Sequence, residues 1–189
     1  MFTIASMAAD ALGRLLADDF KRTFGSAHQA HAEQLDTLSR VALECLGRSD
    51  ALYHNVEHTL LVTLVGVDIL RGRMLTEPIE PDDYTHLIVA CLLHDIGYVR
   101  GILKGDSPNS FVIGEGERRI TLPRSSSDAA LAPYHVERSI LFVKDRLGSR
   151  VSLTLIVSPE RSNSPVSLAP VHRIVSLRAA KAGWCKAPI

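Results

Sequence analysis

Two short motifs contain four side chains that can bind a metal ion. Y-H-N-V-E-H occupies residues 53–58, and H-D-I-G-Y occupies residues 94–98. His54 and His58 are four residues apart, which places them one turn apart on the same face of a helix. Imidazole and carboxylate groups together suit zinc, iron, manganese and similar ions. The two motifs therefore predict a metal centre with His58, His94 and Asp95 as ligands.

Each motif also has an ordinary structural explanation when it is taken alone. A histidine pair at this spacing is commonly a surface or packed feature, and a single His-Asp dipeptide carries little information. However, both motifs lie at the ends of predicted helices, 55–71 and 81–95, that are apolar on nearly every face. An all-round apolar helix predicts a central position, where polar groups are costly unless they are paired or coordinated. A carboxylate at the negative end of a helix dipole also needs a compensating cation.

The segments that position these motifs are predicted to be mostly helical. Apolar residues before residue 150 recur at three- and four-residue spacing, which is typical of amphipathic helices. Gly25, Gly47 and Gly97 are predicted to end the first, second and fourth helices. A Gly/Pro/Ser-rich loop at 98–132 is long enough to predict a functional or disordered segment, with a short hairpin within 107–121. The predicted helices are 2–24, 28–46, 55–71, 81–95 and 134–148.

Composition limits the class of protein. The 189 residues are 46% hydrophobic and 22% charged, which predicts one globular domain rather than a disordered chain. Basic and acidic side chains are equal at 21 each, so no basic patch for nucleic acid is expected. The longest uncharged apolar stretches are nine residues, half of what a membrane span needs, and no secretory signal is evident at the N-terminus. We therefore expect a cytoplasmic protein with reduced thiols at Cys45, Cys91 and Cys185.

The combination of the two motifs resembles the HD superfamily of metal-dependent phosphohydrolases, including the catalytic pattern of cyclic-nucleotide phosphodiesterases. The resemblance covers roughly residues 35–148, where Y-H-N-x-x-H precedes an apolar helix that ends in H-D-I-G. It implies an all-α HD-domain bundle in which His58, His94 and Asp95 bind the metal. It also implies that His54 is the general acid that protonates the leaving oxygen.

The same resemblance implies a cofactor and a substrate class. The cofactor would be a divalent ion, namely Mn, Fe, Zn, Ni or Mg, which lowers the pKa of a bound water and withdraws charge from the phosphoryl group. The substrate would be a small phosphorylated, nucleotide-like molecule. The predicted activity is that of a phosphohydrolase or phosphodiesterase, with no role for nucleic acid or a membrane.

Three further residues are candidates for the site. His135 lies in a later helix that in the superfamily contributes a further ligand or a phosphate contact, although a histidine on an amphipathic helix is commonly just packed or exposed. Arg138 could bind a phosphate through two parallel hydrogen bonds, or it could be an ordinary solvated arginine beside Glu137. Lys104 lies in the long loop with Arg118 and Arg119, where cations would suit a lid over an anionic ester or a solvated cluster.

The chain departs from the superfamily pattern at the last ligand. The superfamily closes its site with an Asp from a later helix, but no Asp follows Asp145, and Asp145 itself lies on an amphipathic helix that comes early in the chain for that role. A fourth Asp ligand is therefore not found. Residues 1–150 carry 16 basic and 20 acidic side chains, whereas 151–189 carry five basic ones, Glu160 and four of the nine prolines. We hypothesise that the reading frame was lost near residue 150, or that the natural chain was truncated.

This division predicts an N-terminal helical region at 1–34, an HD-type domain at 35–150 and an atypical, irregular tail at 151–189. Two alternatives to the hydrolase follow from the same residues. One is a catalytically impaired regulatory or binding module that keeps the fold but lacks the last ligand. The other is an HD-fold di-iron oxygenase, for which His86 and His135 are the nearby candidate ligands.

Overall fold

Apolar residues at three- and four-residue spacing build five α-helices in the part of the chain that the computed structural model describes, residues 3–116 and 118–147. The predicted all-α class is confirmed, while the predicted tail at 151–189 lies outside the described residues. None of these helices is both long and apolar enough to cross a membrane. The helices are α1 (Ile4–Phe24), α2 (Gln29–Leu46), α3 (Val56–Arg73), α4 (Pro81–Leu93) and α5 (His135–Leu147).

The long loop between α4 and α5 contains short elements of its own. Strands β1 (Ser110–Val112) and β2 (Arg119–Thr121) pair antiparallel, with Phe111 opposite Ile120, so the hairpin predicted within 107–121 is confirmed. Short 3-10 turns form at Ser26–His28, Ile96–Tyr98 and Asp128–Leu131. The loop is therefore a folded cover on one side of the helices.

Local capping fixes where the helices begin and end. The Thr3 side chain accepts a hydrogen bond from the Ser6 amide at 3.1 Å and so caps α1. Gly25 follows α1 with a φ of 79°, which favours glycine, and the predicted stop is confirmed. At the start of α3, the Asn55 side chain accepts from the His58 amide at 3.0 Å. The Asn55 cap thereby fixes the first turn of α3, which carries a predicted ligand.

The end of α4 differs from the prediction. The helix ends at Leu93, and Gly97 lies beyond it in the turn Ile96–Tyr98. A Cβ atom at Gly97 would collide with the backbone carbonyl of His135 and lie 2.8 Å from the Ser139 amide nitrogen. The prediction that Gly97 ends the helix was therefore wrong. This glycine permits the close approach of α5 to the turn.

One hydrophobic core joins residues of all five helices, α1 to α5. Since α4 lies at its centre, Tyr84, Ile88 and Leu92 are completely buried, in agreement with the prediction for an all-round apolar helix. Other core residues with no exposed surface are Leu16, Phe20, Ala32, Leu35, Ala42, Leu43, Leu70 and Ile96.

Helix α3 is not surrounded in the way that its apolar sequence predicted. Leu61, Val65 and Ile69 repeat every four residues and remain 53%, 57% and 52% exposed. The opposite face of α3 packs mainly on α4. The prediction was wrong for this helix because no element among residues 3–116 and 118–147 covers its outer face.

A buried carboxylate joins three helices through side-chain hydrogen bonds. Asp19 on α1 accepts from the Tyr84 hydroxyl at 2.7 Å and from the Arg22 guanidinium at 3.1 Å. It also accepts from Arg71 on α3 at 2.5 Å. Burial alone would raise the pKa of Asp19, but the hydrogen bonds from Arg71 and Tyr84 hold the pKa below its ordinary value.

Asp19→Asn is expected to lower the free energy of unfolding at pH 7 by about 1–3 kcal/mol, because the variant loses charge-assisted hydrogen bonds to a buried acceptor. Since the pKa is lowered in the folded state, this stabilisation is present above the unfolded pKa of about 3.9 and is lost as the pH falls through the folded value. Urea unfolding at pH 7 and pH 3 measures it. The neighbouring exposed Asp18→Asn is the control, and a pH-independent difference between Asp19→Asn and the unmutated protein would contradict the prediction.

Candidate metal centre

Three helix ends meet at the predicted metal centre. His54 lies just before the Asn55 cap of α3, and His58 lies in the first turn of that helix. His94 is the C-cap of α4, and Asp95 follows it. His135 is the first residue of α5. The fold thus brings the histidines of the first motif to the His-Asp pair of the second.

The carboxylate of Asp95 is the point on which these side chains converge. Its Oδ2 atom lies 2.8 Å from His54 Nδ1, 3.3 Å from His58 Nε2 and 2.9 Å from His94 Nε2. The Nε2 atoms of His58 and His94 are 3.3 Å apart. One ligand atom each from His54, His58 and Asp95 lies within 4.8 Å of the other two, so this cluster could hold a metal ion.

The spacing of these atoms fits the ligands of a small divalent ion. Ligands bound at about 2.0–2.2 Å lie about 2.8–3.1 Å from each other in octahedral geometry and about 3.3–3.6 Å in tetrahedral geometry. The contacts of Asp95 Oδ2 with the three imidazoles span 2.8–3.3 Å. Nitrogen and oxygen donors together suit zinc, iron, manganese or nickel better than magnesium, which prefers oxygen. The residues present therefore fit a transition-metal ion.

Backbone carbonyls orient two of the imidazoles. His94 Nδ1 lies 2.8 Å from the Cys91 carbonyl oxygen, and His135 Nδ1 lies 2.6 Å from that of Ala132. Because a carbonyl oxygen only accepts, Nδ1 is the donor in both rings, and a neutral ring then carries its lone pair on Nε2. Hydrogen bonds of this kind commonly fix the tautomer of a metal-binding histidine. In both rings the nitrogen that faces Asp95 is therefore Nε2.

The electrostatics keep the cluster in a form that can bind a cation. Asp95 is 2% exposed in its side chain, and burial alone would raise its pKa, but hydrogen bonds and charge from His94 and His54 hold the pKa at about 2. Burial lowers the pKa of His135, and this outweighs the hydrogen bond to Ala132. At neutral pH the site therefore presents an ionised carboxylate and a neutral His135 ring.

His135 approaches the cluster at the other carboxylate oxygen of Asp95. Its Nε2 atom lies 3.8 Å from Asp95 Oδ1, whereas the contacts of His54, His58 and His94 are with Oδ2. This position favours the site role over the packed or exposed alternative that the sequence left open. His135 can add a fourth imidazole to the donor set.

Tyr98 is part of the site and was missed by the sequence analysis. Its ring stacks on His54 at 4.3 Å between centroids and on His135 at 4.5 Å, and the two imidazoles are themselves 6.1 Å apart, so the three rings form one cluster. Burial raises the pKa of Tyr98 to about 12, which keeps the phenol protonated. The signal available in the sequence was its place directly after H-D-I-G. The stacking contacts with Tyr98 restrict the movement of the His54 and His135 imidazoles.

Arg138 does not reach the cluster, and neither sequence interpretation of it is correct. Its side chain is completely buried and pairs with the equally buried Asp106 at 2.9 Å. All five guanidinium N–H groups have acceptors, because Arg138 also donates to the carbonyls of Gly97, Val99 and Val112. No donor remains for a phosphate. Arg138 instead ties α5 to the loop that follows α4.

The basic residues of the loop form no described contact with the metal cluster either. Lys104 is exposed, and none of the described contacts of the cluster involves it. Arg118 pairs with Glu137 at 3.2 Å, and Arg119 donates to Ser110 and to the Gly105 carbonyl. The lid role of Lys104 remains a prediction.

Two other sequence candidates lie too far along their helices. Asp145 is exposed and follows His135 by ten residues on α5, which corresponds to about 15 Å of helix rise. His86 precedes His94 by eight residues and lies near the other end of α4, about 12 Å away along the helix axis. His86 therefore does not supply the extra ligand that the oxygenase alternative needed. Within residues 3–116 and 118–147, Asp95 is the one carboxylate of the cluster.

Comparison with known proteins identifies a family. The profile of the Npun_R2479-like family matches residues 2–160, which include every residue of the cluster. No curated protein and no solved structure matches the chain. Since the match covers most of the sequence, the chain belongs to the Npun_R2479-like family.

Proposed function

We propose that this Npun_R2479-like protein is a metal-dependent phosphohydrolase of the HD type that acts on a small, nucleotide-like phosphate ester. The observation that carries the proposal is the convergence of His54, His58 and His94 on one oxygen of the buried Asp95. His135 approaches the other oxygen. A buried anion ringed by oriented imidazoles is the donor set that hydrolytic metal sites use.

The ligands in this proposal are His58, His94 and Asp95, with His135 available as a further donor. A bound divalent ion would supply a water of lowered pKa and withdraw charge from the phosphoryl group. Asp95 contributes the negative charge that holds the cation. The Nδ1 hydrogen bonds of His94 and His135 keep their rings turned towards it.

His54 is proposed as the general acid. Its side chain is 32% exposed, compared with 11% for His58 and 15% for His94, so it is the most accessible of these three imidazoles. Its Nδ1 atom contacts Asp95, and Tyr98 stacks on its ring, which together fix the orientation of the imidazole. An oriented imidazole at the rim of the cluster can donate a proton to a leaving oxygen.

A second candidate function is a binding module that keeps the metal but has little or no turnover. Asp95 is the only carboxylate of the cluster within residues 3–116 and 118–147, which favours this alternative. Catalytic zinc sites nevertheless operate with three protein ligands and a water. Metal content and turnover must therefore be measured together.

The test is to load the chelator-treated protein with Mn, Fe, Zn, Ni or Mg ions, and to measure bound metal by mass spectrometry and hydrolysis of bis-p-nitrophenyl phosphate. We expect one equivalent or more of metal and metal-dependent turnover. His58→Ala should lose about 100-fold or more in metal affinity or activity. His86→Ala is the matched control, since His86 lies away from the cluster. Metal without turnover in a folded sample would support the binding module, and a folded protein that binds no metal would contradict both functions.

A further inference from the structure

A second concave site lies beside the folded loop. A cavity of about 310 Å³ is enclosed by three segments that are distant in the sequence, namely the end of α2 with residues 45–50, residues 99–102 after the turn, and residues 124–128. This volume is at the lower end of the range for small-molecule pockets. The cavity is lined by none of the five residues of the metal cluster, so it is a separate feature of the surface.

Three arginines from the three segments line this cavity. They are Arg48, Arg100 and Arg124, and the acidic residues of the lining are Asp50 and Asp128. Asp128 is already paired, because its Oδ1 lies 2.8 Å from Arg100 Nε. Asp50 Oδ1 accepts from the Asp128 amide at 2.6 Å and from the Ser127 hydroxyl at 3.0 Å. The lining therefore has three guanidinium groups and two carboxylates, and both carboxylates already have partners.

The hydrogen bonds of Asp50 and Arg100 preorganise the wall of this cavity. Asp50 joins the end of α2 to the loop, and Arg100 Nη2 donates to the Ser126 hydroxyl at 3.0 Å and to the carbonyls of Ser126 and Ser127. Arg100 is mostly buried, with 21% of its side chain exposed. A guanidinium fixed in this way loses little conformational entropy when it binds an anion.

The other two arginines retain hydrogen-bond donors. Arg124 uses only Nε, which donates to Asn109 at 3.3 Å, and Arg48 forms no hydrogen bond or ion pair with residues 3–116 or 118–147. Burial raises the pKa of the Cys45 thiol in the same wall, so this group stays neutral and does not repel an anion. The cavity thus combines the fixed guanidinium of Arg100 with those of Arg48 and Arg124, which have N–H groups available to donate.

We propose that this cavity binds the phosphate group of a small molecule. A tetrahedral phosphate has oxygens in several directions and can accept from guanidinium groups on three separate segments, whereas a planar carboxylate is satisfied by one of them. The site is a second anion site of the chain. It does not depend on the proposed function, because the metal ligands are not part of it.

Binding of inorganic phosphate and of ribose 5-phosphate to the full chain is measured by isothermal titration calorimetry at low salt, with ribose as the uncharged control. We expect both phosphates to bind and ribose not to bind. Tighter binding of ribose 5-phosphate identifies a phosphate ester as the ligand, and equal affinity identifies free phosphate. Absence of binding by both phosphates overturns the proposal.

Variants locate the binding. The double variant Arg48→Gln/Arg124→Gln should weaken phosphate binding by about 10-fold or more, since each guanidinium contributes charge-assisted hydrogen bonds. Arg14→Gln, an exposed change on α1, is the matched control, and circular dichroism verifies that each variant is folded. His58→Ala should leave this affinity unchanged. Loss of phosphate binding in His58→Ala, with retention in the double arginine variant, would place the anion at the metal cluster and overturn the proposal.

Discussion

Asp95→Asn is expected to weaken binding of a divalent metal by about 100-fold or more and to remove metal-dependent hydrolysis. This effect should be larger than that of losing a residue that only orients a ligand. Asparagine keeps the shape of the side chain but removes its negative charge. Asp95 Oδ2 is the atom that three imidazoles approach within 3.3 Å, so no neighbouring group can replace it. Competition with a chromophoric chelator measures the affinity.

Asp83→Asn is the matched control for this variant. Asp83 lies in the first turn of α4, at the end of the helix opposite to His94. The Asp83→Asn variant makes the same chemical change at the far end of α4 and should leave metal affinity within about twofold, since a partly exposed charge far from the ion is screened by solvent. Equal metal affinity in Asp95→Asn and the unmutated protein would show that the cluster is not the metal site.

Arg138→Met is expected to lower the free energy of unfolding by about 3–5 kcal/mol, because it leaves the buried carboxylate of Asp106 without its ionic partner. Both side chains of this pair are completely buried. The change also removes donors from the carbonyls of Gly97, Val99 and Val112. Urea denaturation measures the loss, and Arg146→Met on the exposed side of α5 is the control.

A double variant separates the ion pair from the rest of the network. Arg138→Met/Asp106→Asn should be less destabilised than the sum of the two single variants, because the second change removes the unpaired charge that the first creates. A loss in Arg138→Met no larger than that in Arg146→Met would mean that the buried pair does not stabilise the fold.

Much of the fold could be predicted from local patterns. Helix periodicity and the stop at Gly25 located α1 to α5 to within a few residues, because both are local signals. The contact between His58 and His94 was also predictable. Both histidines lie at ends of apolar helices, and two such helices pack against each other.

Other features depend on contacts between residues distant in the sequence. Arginine is rarely buried, and nothing near Arg138 in the sequence indicates that Asp106, 32 residues away, is its partner. Gly97 follows a helix in the manner of a stop signal, whereas its role depends on how closely α5 approaches. For the same reason, the apolar sequence of α3 indicates burial but cannot specify that its outer face lacks a neighbour among the described residues.

The bonds around Gly97 also determine how the cluster can come apart. The Gly97 amide donates to the Ser139 hydroxyl, which donates in turn to the His94 carbonyl, and the Gly97 carbonyl accepts from Arg138. The end of α4 and the start of α5 are therefore fastened together as one unit that carries His94, Asp95 and His135. Because these bonds hold His94, Asp95 and His135 together, we expect the cluster to open, if it opens, by movement of the segment that carries His54 and His58.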